Sequence, residues 1–402
     1  YLTSHTLRRI DMPNSKFETY LERLGEFGFE MDPRIEQKNI DGLLGMYATK
    51  SIPKGTTLSK FPVSMKIPPS NSIDFSGVPN EEVFSLVHTL AKELADENSR
   101  YQCYFDYCGT LEDRKSRSVC YFTQEEFSVL AQMNPLLAKN ALLSKHSWEQ
   151  IVRTVCMKDP TLGKEHVMLA SFIYRERCWS GEVGFLFLPG MDLFNHNTKS
   201  KIMPQRTQVR GEDCITFVAH EDINPGDEIK ITYGNTDMFH FACNYDFFDP
   251  NDFHLISYSY RITQAISDDF IQKVVENLKK YYEVSIFEMK GSTKFKVEES
   301  RAFFLEQGPN TKMVELVSRL AINNDAELER GKADDITAAR YMLYILQSYK
   351  EANKVKSISK ESLPQKIHRF HDMLTAELNT LDSNIRYVKP KCTEKKRYLE
   401  AV

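Results

Sequence analysis

The sequence lacks the cysteine spacing that a zinc site requires. Its eight cysteines are scattered over 402 residues, and no two of them form a Cys-x-x-Cys pair. The closest two, Cys103 and Cys108, have neither a second pair nor a His-x-x-x-His partner, so we expect no metal. In a chain of this length, scattered cysteines are typical of reduced thiols. We therefore expect a cytoplasmic or nuclear protein.

The sequence also lacks a basic surplus and long apolar runs. The formal net charge is −4 and the pI is near 6.3, so the charge predicts no nucleic-acid partner. No apolar run reaches the ~18 residues of a membrane span, so we expect no membrane association. Because the chain begins with Tyr1 and not with methionine, we expect further residues upstream. Hydrophobic residues make up 41% of the chain, enough to build two or three globular domains.

The hydrophobic pattern changes period along the chain. Helical spacing predicts an amphipathic helix over residues 12–32, and short strand-like runs with turn residues follow. The helical period occupies residues 79–178, and strand-like sequence returns over residues 184–233. From residue 253 the pattern is helical again, with helices expected at residues 268–282, 313–322 and 336–350. Mixed but separate helical and strand regions predict an α+β protein.

One spacing occurs twice in the strand-like regions. The spacing Ala48, Ile52, Gly55, Leu58 matches the spacing Ala219, Ile223, Gly226, Ile229. A Pro-Lys-Gly turn interrupts the first segment and a Pro-Gly-Asp turn interrupts the second, and such turns reverse an extended chain. We interpret each segment as a β-hairpin, so that a helical insertion divides one small β-rich core. Chance similarity remains the alternative.

Polar residues stand where strand packing would favour apolar ones. Asn195 and His196 follow an apolar run, and Tyr233 ends the alternating segment of residues 229–233. A tyrosine at a strand end can extend its hydroxyl past the sheet edge. These groups predict a pocket of backbone carbonyls and one phenol, which suits a methyl donor better than a phosphate or a metal. A core tyrosine and a capped turn remain the alternatives.

These segments resemble a SET domain of the class typified by the Rubisco large-subunit lysine methyltransferase. Three blocks carry the resemblance, in the family's order and spacing: Gly-Leu-Leu-Gly-Met-Tyr-Ala-Thr-Lys-Ser-Ile-Pro-Lys-Gly at 42–55, Asp-Leu-Phe-Asn-His-Asn at 192–197, and Asp-Glu-Ile-Lys-Ile-Thr-Tyr-Gly at 227–234, followed by Tyr-Asp-Phe-Phe at 245–248. The resemblance extends over about residues 15–385.

The resemblance implies a fold and a domain order. The fold would be α+β, with a β-rich SET domain of short strands that a helical insertion interrupts, followed by an all-α C-terminal domain. Residues 1–75 would form the N-terminal helix and the first part of the SET domain, and residues 76–178 the insertion. Residues 179–252 would form the second part with the cofactor site, and residues 253–402 an all-helical substrate-binding domain. The cysteine-rich flanks of histone-directed SET enzymes are absent.

The resemblance also implies S-adenosylmethionine as the cofactor and assigns roles to residues. Tyr233 would be catalytic, because its hydroxyl can orient the target nitrogen; an unperturbed phenol, with a pKa of about 10, stays protonated at neutral pH. Arg175 would pair with the cofactor carboxylate. The implied cofactor-binding residues are Gly42, Leu43, Leu44, Gly45, Met46, Arg175, Asn195, His196, Tyr233, Tyr245 and Phe248. The alternative for Arg175 is an exposed position on a helix. The alternative for Tyr245 and Phe248 is packing in the core.

The chain departs from the family pattern at three places. Gly-Leu-Leu-Gly replaces Gly-x-Gly, so one glycine is displaced and Leu43 takes its position. Asn197 follows the Asn-His pair in place of Ser or Cys. Tyr174-Arg175 stands where a Ser-Arg pair is expected, which leaves both Arg175 and Arg177 as candidates for the cofactor carboxylate.

The implied activity is methylation of a lysine in a non-histone protein that the C-terminal domain docks. One alternative is histidine methylation, as in the actin-histidine relative of this class, and residues around Asn197, Asn235 and Phe248 would decide between the two. The other alternative is a SET-like scaffold without turnover, against which the intact Asn-His pair and Tyr233 argue. The sequence indicates neither the substrate protein, nor the number of methyl groups, nor the oligomeric state.

Overall fold

The structure is a computed structural model of the chain. It describes residues 14–40, 43–179, 185–197, 199–233, 241–245, 260–265, 267–289, 292–299, 304–305, 308–352 and 359–392. The chain divides into two compact units. The first comprises residues 1–131, 135–234 and 241–252, and the second comprises residues 132–134, 235–240 and 253–402. The finer division into four domains stays a prediction.

The first helix, α1, spans Asn14–Glu26 and is shorter than the predicted stretch of residues 12–32. Its apolar side is buried, with Tyr20 and Leu24 almost inaccessible to solvent. The helix ends where Gly28 adopts a φ of +86°, a left-handed conformation that glycine reaches without steric cost. The amide of Phe29 then donates to the carbonyl oxygen of Leu24 at 3.1 Å, which closes the helix end.

The helical period between residues 79 and 178 predicts the observed helices. They span Glu81–Ala95 (α2), Gln102–Cys108 (α3), Leu111–Lys115 (α4), Gln124–Met133 (α5), Pro135–Lys158 (α6) and Lys164–Arg177 (α7). Helix α7 packs against α2 and α6 and buries an apolar stripe that includes Val167, Ala170 and Ile173. No helix among the described residues is long and apolar enough to span a membrane.

Short strands form the rest of the first unit. A four-stranded antiparallel sheet has the order β1–β4–β7–β6, and β2 pairs with β3 in an antiparallel ribbon. The strands that matter for the site are β5 and β8, which form a short parallel pair. The strands span Glu30–Met31 (β1), Ile35–Ile40 (β2), Leu43–Ala48 (β3), Thr57–Pro62 (β4), Asn195–His196 (β5), Gln205–Val209 (β6), Glu212–Val218 (β7) and Lys230–Ile231 (β8).

The two segments with the repeated spacing are not hairpins, so that interpretation was wrong. They run antiparallel to one another instead: the amides and carbonyls of Ile52 and Ile223 exchange two hydrogen bonds of 2.9 Å. The Gly55 amide donates to Ala219 at 2.8 Å, and the Gly226 amide donates to Ala48 at 2.7 Å. This pairing accounts for the matching spacings, because the glycine of each segment donates to the alanine of the other and the two isoleucines pair between them.

The second unit is helical over most of its described length but is not all-α, which corrects the prediction for residues 253–402. Three strands, Tyr260–Ala265 (β9), Glu283–Met289 (β10) and Ser292–Glu299 (β11), form an antiparallel sheet in the order β10–β11–β9. Phe295 and Val297 are buried on one face of β11, with lysines between and before them. This alternation has the period of a strand, which overrides the helical pattern of the flanking sequence.

The helices of the second unit lie close to the predicted stretches. They span Asp269–Leu278, Thr311–Leu320, Asp325–Arg330, Asp335–Ala352 and His368–Val388. Side-chain oxygens cap several of them: Asp268 accepts from the Ile271 amide at 2.9 Å, Asn310 from the Met313 amide at 2.8 Å, and Asn324 from the Glu327 amide at 2.9 Å. Two further short strands, Phe304–Leu305 (β12) and Gly308–Pro309 (β13), pair with each other.

Candidate functional site

Backbone pairing brings the three sequence blocks together in the first unit. The Ile229 amide donates to the carbonyl oxygen of Met46 at 2.7 Å, which joins the first block to the third. Strand β5 lies parallel to β8, with His196 opposite Ile231. The Asn197 amide extends this pairing with a 3.0 Å hydrogen bond to Ile231. Residues about 150 positions apart in the chain therefore line one place in the fold.

The amide side chain of Asn195 is held from two sides. Its Nδ2 donates to the carbonyl oxygen of Leu44 at 2.8 Å and to Oε1 of Glu228 at 2.7 Å. Among the described residues, no donor reaches its Oδ1 atom. The half-buried Asn195 side chain thus spans the first and third blocks and has one acceptor left for a ligand.

His196 is a neutral buried acceptor. Its side chain stacks on Phe241 with ring centroids 4.5 Å apart, and its Nδ1 accepts from the Tyr233 amide at 3.0 Å. Burial, with a smaller contribution from Lys230, lowers the pKa of His196 to about 4. The imidazole is therefore uncharged at neutral pH. It fixes the backbone at Tyr233 and does not act as a cation.

Tyr233 lies at the meeting point of the blocks. Its hydroxyl donates to the carbonyl oxygen of Phe194 at 2.8 Å, the residue before Asn195. Its ring makes an edge contact with Trp179 at a centroid distance of 5.8 Å and a tilted contact with Tyr245 at 5.6 Å. Because the hydroxyl hydrogen points to Phe194, the oxygen can act toward a further group only as an acceptor.

The turn of residues Phe241–Tyr245 supplies the rest of an aromatic cluster around Tyr233. Phe241 and Tyr245 lie 5.2 Å apart by ring centroids, and Phe241 and His196 stack as described above. Burial, and then Tyr233, raise the pKa of the Tyr245 phenol, so this side chain stays protonated. The cluster gives the site an apolar aromatic wall next to the polar groups of Asn195 and Tyr233.

The first block contributes backbone more than side chains. Leu44 and Met46 are buried in the core, and the Leu44 carbonyl already accepts from Asn195. Gly45 is required by a neighbour: a Cβ atom there would lie 2.5 Å from Oε1 of Glu228. The absence of a side chain at position 45 thus leaves room for this carboxylate.

The two arginine candidates have different partners, and both fasten α7 to the site. Arg175 donates to the Ser144 hydroxyl at 2.9 Å, to the Cys120 sulfur at 2.8 Å, to the Cys243 carbonyl oxygen at 3.3 Å and to the side-chain oxygen of Asn244. Arg177 forms a buried ion pair with Asp192, three residues before Asn195. These contacts position the turn at 241–245 and the start of β5. A direct contact of either arginine with a cofactor stays a prediction.

Several site residues were missed by the sequence reasoning. Glu228 looked like one of many acidic turn residues, although its place between Asp227 and Ile229 in the third block was a usable signal. Trp179 and Phe241 follow no motif, and their place depends on the long-range fold. Gly42, Asn235 and Phe248, and the side chain of Leu43, lie outside the described residues. No group of three His, Cys, Asp or Glu side chains suited to a metal occurs within the described ranges.

Comparisons with known proteins agree with this geometry. Residues 44–234 match the family model of the SET domain. A search of curated proteins by sequence gave no match. Among solved structures, the chain is similar to the SET domain of LSMT bound to lysine and AdoHcy, with a TM-score of 0.61, 15% identity, and coverage of 94% of this chain and 92% of that one.

A second structure, Rubisco LSMT bound to AdoMet, is similar with a TM-score of 0.57 and 14% identity over 95% of this chain and 91% of that chain. A third, Rubisco LSMT bound to sinefungin and monomethyllysine, has a TM-score of 0.56 and 14% identity over 94% of this chain and 90% of that one. At this identity the similarity shows the fold. It confirms the α+β architecture and the resemblance that the three blocks predicted.

Proposed function

We propose that this chain is an S-adenosylmethionine-dependent protein N-methyltransferase that modifies a lysine of a non-histone protein, because residues 44–234 match the family model of the SET domain. SET methyltransferases use S-adenosylmethionine, and the similar LSMT structures hold AdoMet or AdoHcy. The observation that carries the proposal is the convergence of Asn195, His196 and Tyr233 at one junction of paired strands. These residues come from separate segments of the chain, which the pairing of β5 with β8 brings together.

The polar groups of the site fit the cofactor. The Oδ1 atom of Asn195 is an acceptor for the amino group of its methionine part. Neutral His196 fixes the adjoining strand end, and the aromatic wall of Phe241 and Tyr245 suits an adenine ring or an aliphatic chain. When bound, S-adenosylmethionine would supply a methyl group that its sulfonium already activates, so the protein needs no metal or strong acid for the transfer.

Tyr233 would position the nucleophile. Its hydroxyl oxygen, with the hydrogen directed to Phe194, can accept an N–H of an uncharged amine and hold the nitrogen lone pair toward the methyl carbon. Such alignment of reacting groups removes a large part of a barrier. The same oxygen also carries partial negative charge, which stabilises the positive charge that develops on the nitrogen.

Lysine is favoured over histidine by the aromatic side chains beside Tyr233. Trp179 and Tyr245 contact the Tyr233 ring from two directions. Aromatic faces suit a flexible methylene chain that ends in an amine, and they also attract its methylated cation. Asn197, one residue that could hold an imidazole, is engaged instead in a turn, where its Oδ1 accepts from the Lys199 amide at 2.7 Å. Histidine methylation remains the alternative, and the side chains of Asn235 and Phe248 would distinguish between the two substrates.

Two further parts of the proposal concern the setting of the reaction. The second unit would dock the protein substrate, and its exposed Tyr344, which is 65% accessible, suits such a contact. The eight cysteines are free thiols, which supports a cytoplasmic or nuclear location. The intact Asn195, His196 and Tyr233 support turnover, since a scaffold without activity is free to lose them.

A labelling experiment tests the proposed reaction. The chain is incubated with tritiated S-adenosylmethionine and a cell lysate, and the labelled residue is identified by mass spectrometry. We expect label on a lysine; label on a histidine would establish the alternative substrate class. An absence of label, in a protein that binds the cofactor, would favour the scaffold.

Tyr233→Phe is the matched control, because it removes only the hydroxyl. We expect a loss of transfer of about 100-fold or more, with cofactor affinity changed by less than about twofold. An unchanged rate would contradict the role of Tyr233 while leaving the cofactor site standing. A parallel loss of transfer and of cofactor affinity would show instead that the hydroxyl builds the site.

A further inference from the structure

Among the residues that the structure describes, Glu228 is the acidic residue whose carboxylate contacts Asn195. Its side chain is 19% exposed, and its Oε2 lies 3.2 Å from Nζ of Lys230. Its other oxygen, Oε1, lies 2.7 Å from Nδ2 of Asn195. Its backbone forms a bridge with Tyr47 of β3. Both carboxylate oxygens of Glu228 therefore have a partner, and its backbone joins the third sequence block to the first.

These contacts determine which way the Asn195 amide faces. The oxygen and nitrogen of an amide have nearly the same shape, so hydrogen-bond partners must decide the orientation. Here the two partners, the Leu44 carbonyl and the Glu228 carboxylate, are both acceptors. Rotation of the amide by half a turn would place Oδ1 against two oxygens. Nδ2 must therefore face Glu228, and Oδ1 must face away from it.

Gly45 supports the same arrangement. A Cβ atom at this position would lie 2.5 Å from Oε1 of Glu228 and 3.0 Å from its Cδ, so the carboxylate would have to move away. The glycine therefore allows the carboxylate to reach Asn195.

The negative charge of Glu228 also determines which ligand group binds to Oδ1 of Asn195. An acceptor oxygen with a carboxylate behind it favours an N–H donor with positive charge and disfavours a carboxylate. The methionine part of the proposed cofactor offers both an ammonium and a carboxylate. The ammonium is the group that fits this acceptor.

We propose that Glu228 is a positioning residue that locks the Asn195 amide, so that Oδ1 receives the α-ammonium group of the cofactor. This inference rests on the proposed function, because it assigns one contact within the same cofactor site. Glu228 acts only through Asn195. Its removal should therefore weaken the recognition of the ammonium group and leave the recognition of the rest of the ligand intact.

Calorimetric titration with two ligands tests the proposal. One ligand is S-adenosylhomocysteine, and the other is its analogue with hydrogen in place of the α-amino group. For Glu228→Ala we expect the affinity for S-adenosylhomocysteine to fall about tenfold, which corresponds to about 1.4 kcal/mol. The affinity for the deaminated analogue should change less than about twofold. Glu221→Ala, an exposed acidic residue of the neighbouring turn, is the matched control and should leave both affinities unchanged.

An exchange of polarity gives a second test that does not depend on a single truncation. Asn195→Asp places a carboxylate against Glu228 and the Leu44 carbonyl, so binding of S-adenosylhomocysteine should be lost. Adding Glu228→Gln supplies an amide donor to the new carboxylate and should restore part of the affinity. An absence of any restoration would overturn the proposal.

The outcomes separate this inference from the proposed function. An equal loss of affinity for both ligands in Glu228→Ala would show a general structural role and would overturn the inference alone. An unchanged affinity for S-adenosylhomocysteine in that variant would do the same. If the wild-type chain binds neither ligand, the proposed function fails and the assignment of Glu228 fails with it.

Discussion

Acidification from pH 7 to pH 5 should destabilise the first compact unit through His196. In the unfolded chain an imidazole has a pKa of about 6.5 and takes up a proton as the pH falls through that value. In the folded protein the pKa of His196 is lowered to about 4 by burial, so the ring stays neutral. Between these values the unfolded chain binds more protons than the folded protein. Stability is therefore lost as the pH falls and is unaffected by this group above neutrality.

The size of the effect follows from the two pKa values. A difference of about 2.5 pH units corresponds to about 3 kcal/mol in total, of which about 2 kcal/mol is lost by pH 5. Carboxylates titrate mainly below this range. The buried carboxylate of Glu176, for example, has its pKa lowered because Arg114 and two further arginines outweigh the effect of burial, so its contribution is lost at lower pH.

Urea unfolding followed by tryptophan fluorescence measures this loss. The chain has two tryptophans, Trp148 and Trp179, and both belong to the first unit. His196→Asn is the matched control, because an amide oxygen can accept from the Tyr233 backbone without titrating. We expect the wild type to lose about 2 kcal/mol more than this variant between pH 7 and pH 5. An equal loss in both proteins would refute the neutral, buried state of His196.

Three further substitutions test the contacts around the site. Gly45→Ala should cost about 1–3 kcal/mol in urea unfolding because of the clash with Glu228, and adding Glu228→Ala should recover part of it; an unaffected Gly45→Ala protein would argue against the close approach. Arg175→Lys cannot hold all four partners of the guanidinium, so hydrogen exchange at residues 241–245 should rise without any ligand, and unchanged exchange would leave a cofactor contact as its role. Arg177→Ala should lower the free energy of unfolding by about 3–5 kcal/mol because Asp192 stays behind as a buried charge. The double variant with Arg177→Met and Asp192→Leu should lower it less, and equal losses would contradict the buried ion pair.

Local patterns allowed much of the fold to be predicted. The helices between residues 79 and 178 follow from apolar spacing, since this spacing depends on neighbours within a few positions. That the blocks around Asn195 and Tyr233 lie close together was predicted only from their resemblance to a family. Nothing within either block indicates this proximity, because the pairing of β5 with β8 determines it.

The errors have a common physical cause, which is the choice of a long-range partner. The segments around Gly55 and Gly226 carry ordinary turn signals, and nothing within either segment shows that it pairs with the other. Glu228 has the sequence setting of a solvated turn residue, yet its partner Asn195 lies 33 positions away. The alternation at Phe295 and Val297 was visible, but the long helical stretches on both sides obscured it.

The binding of S-adenosylhomocysteine to the wild-type chain and to Asn195→Ala, measured by calorimetry, tests the central claim most directly. We predict one bound molecule per wild-type chain, and an affinity at least about tenfold weaker for the variant because it lacks the Oδ1 acceptor. Binding that is equally strong in both proteins would place the ligand elsewhere. An absence of binding to the wild type would contradict the account of this junction as a cofactor site.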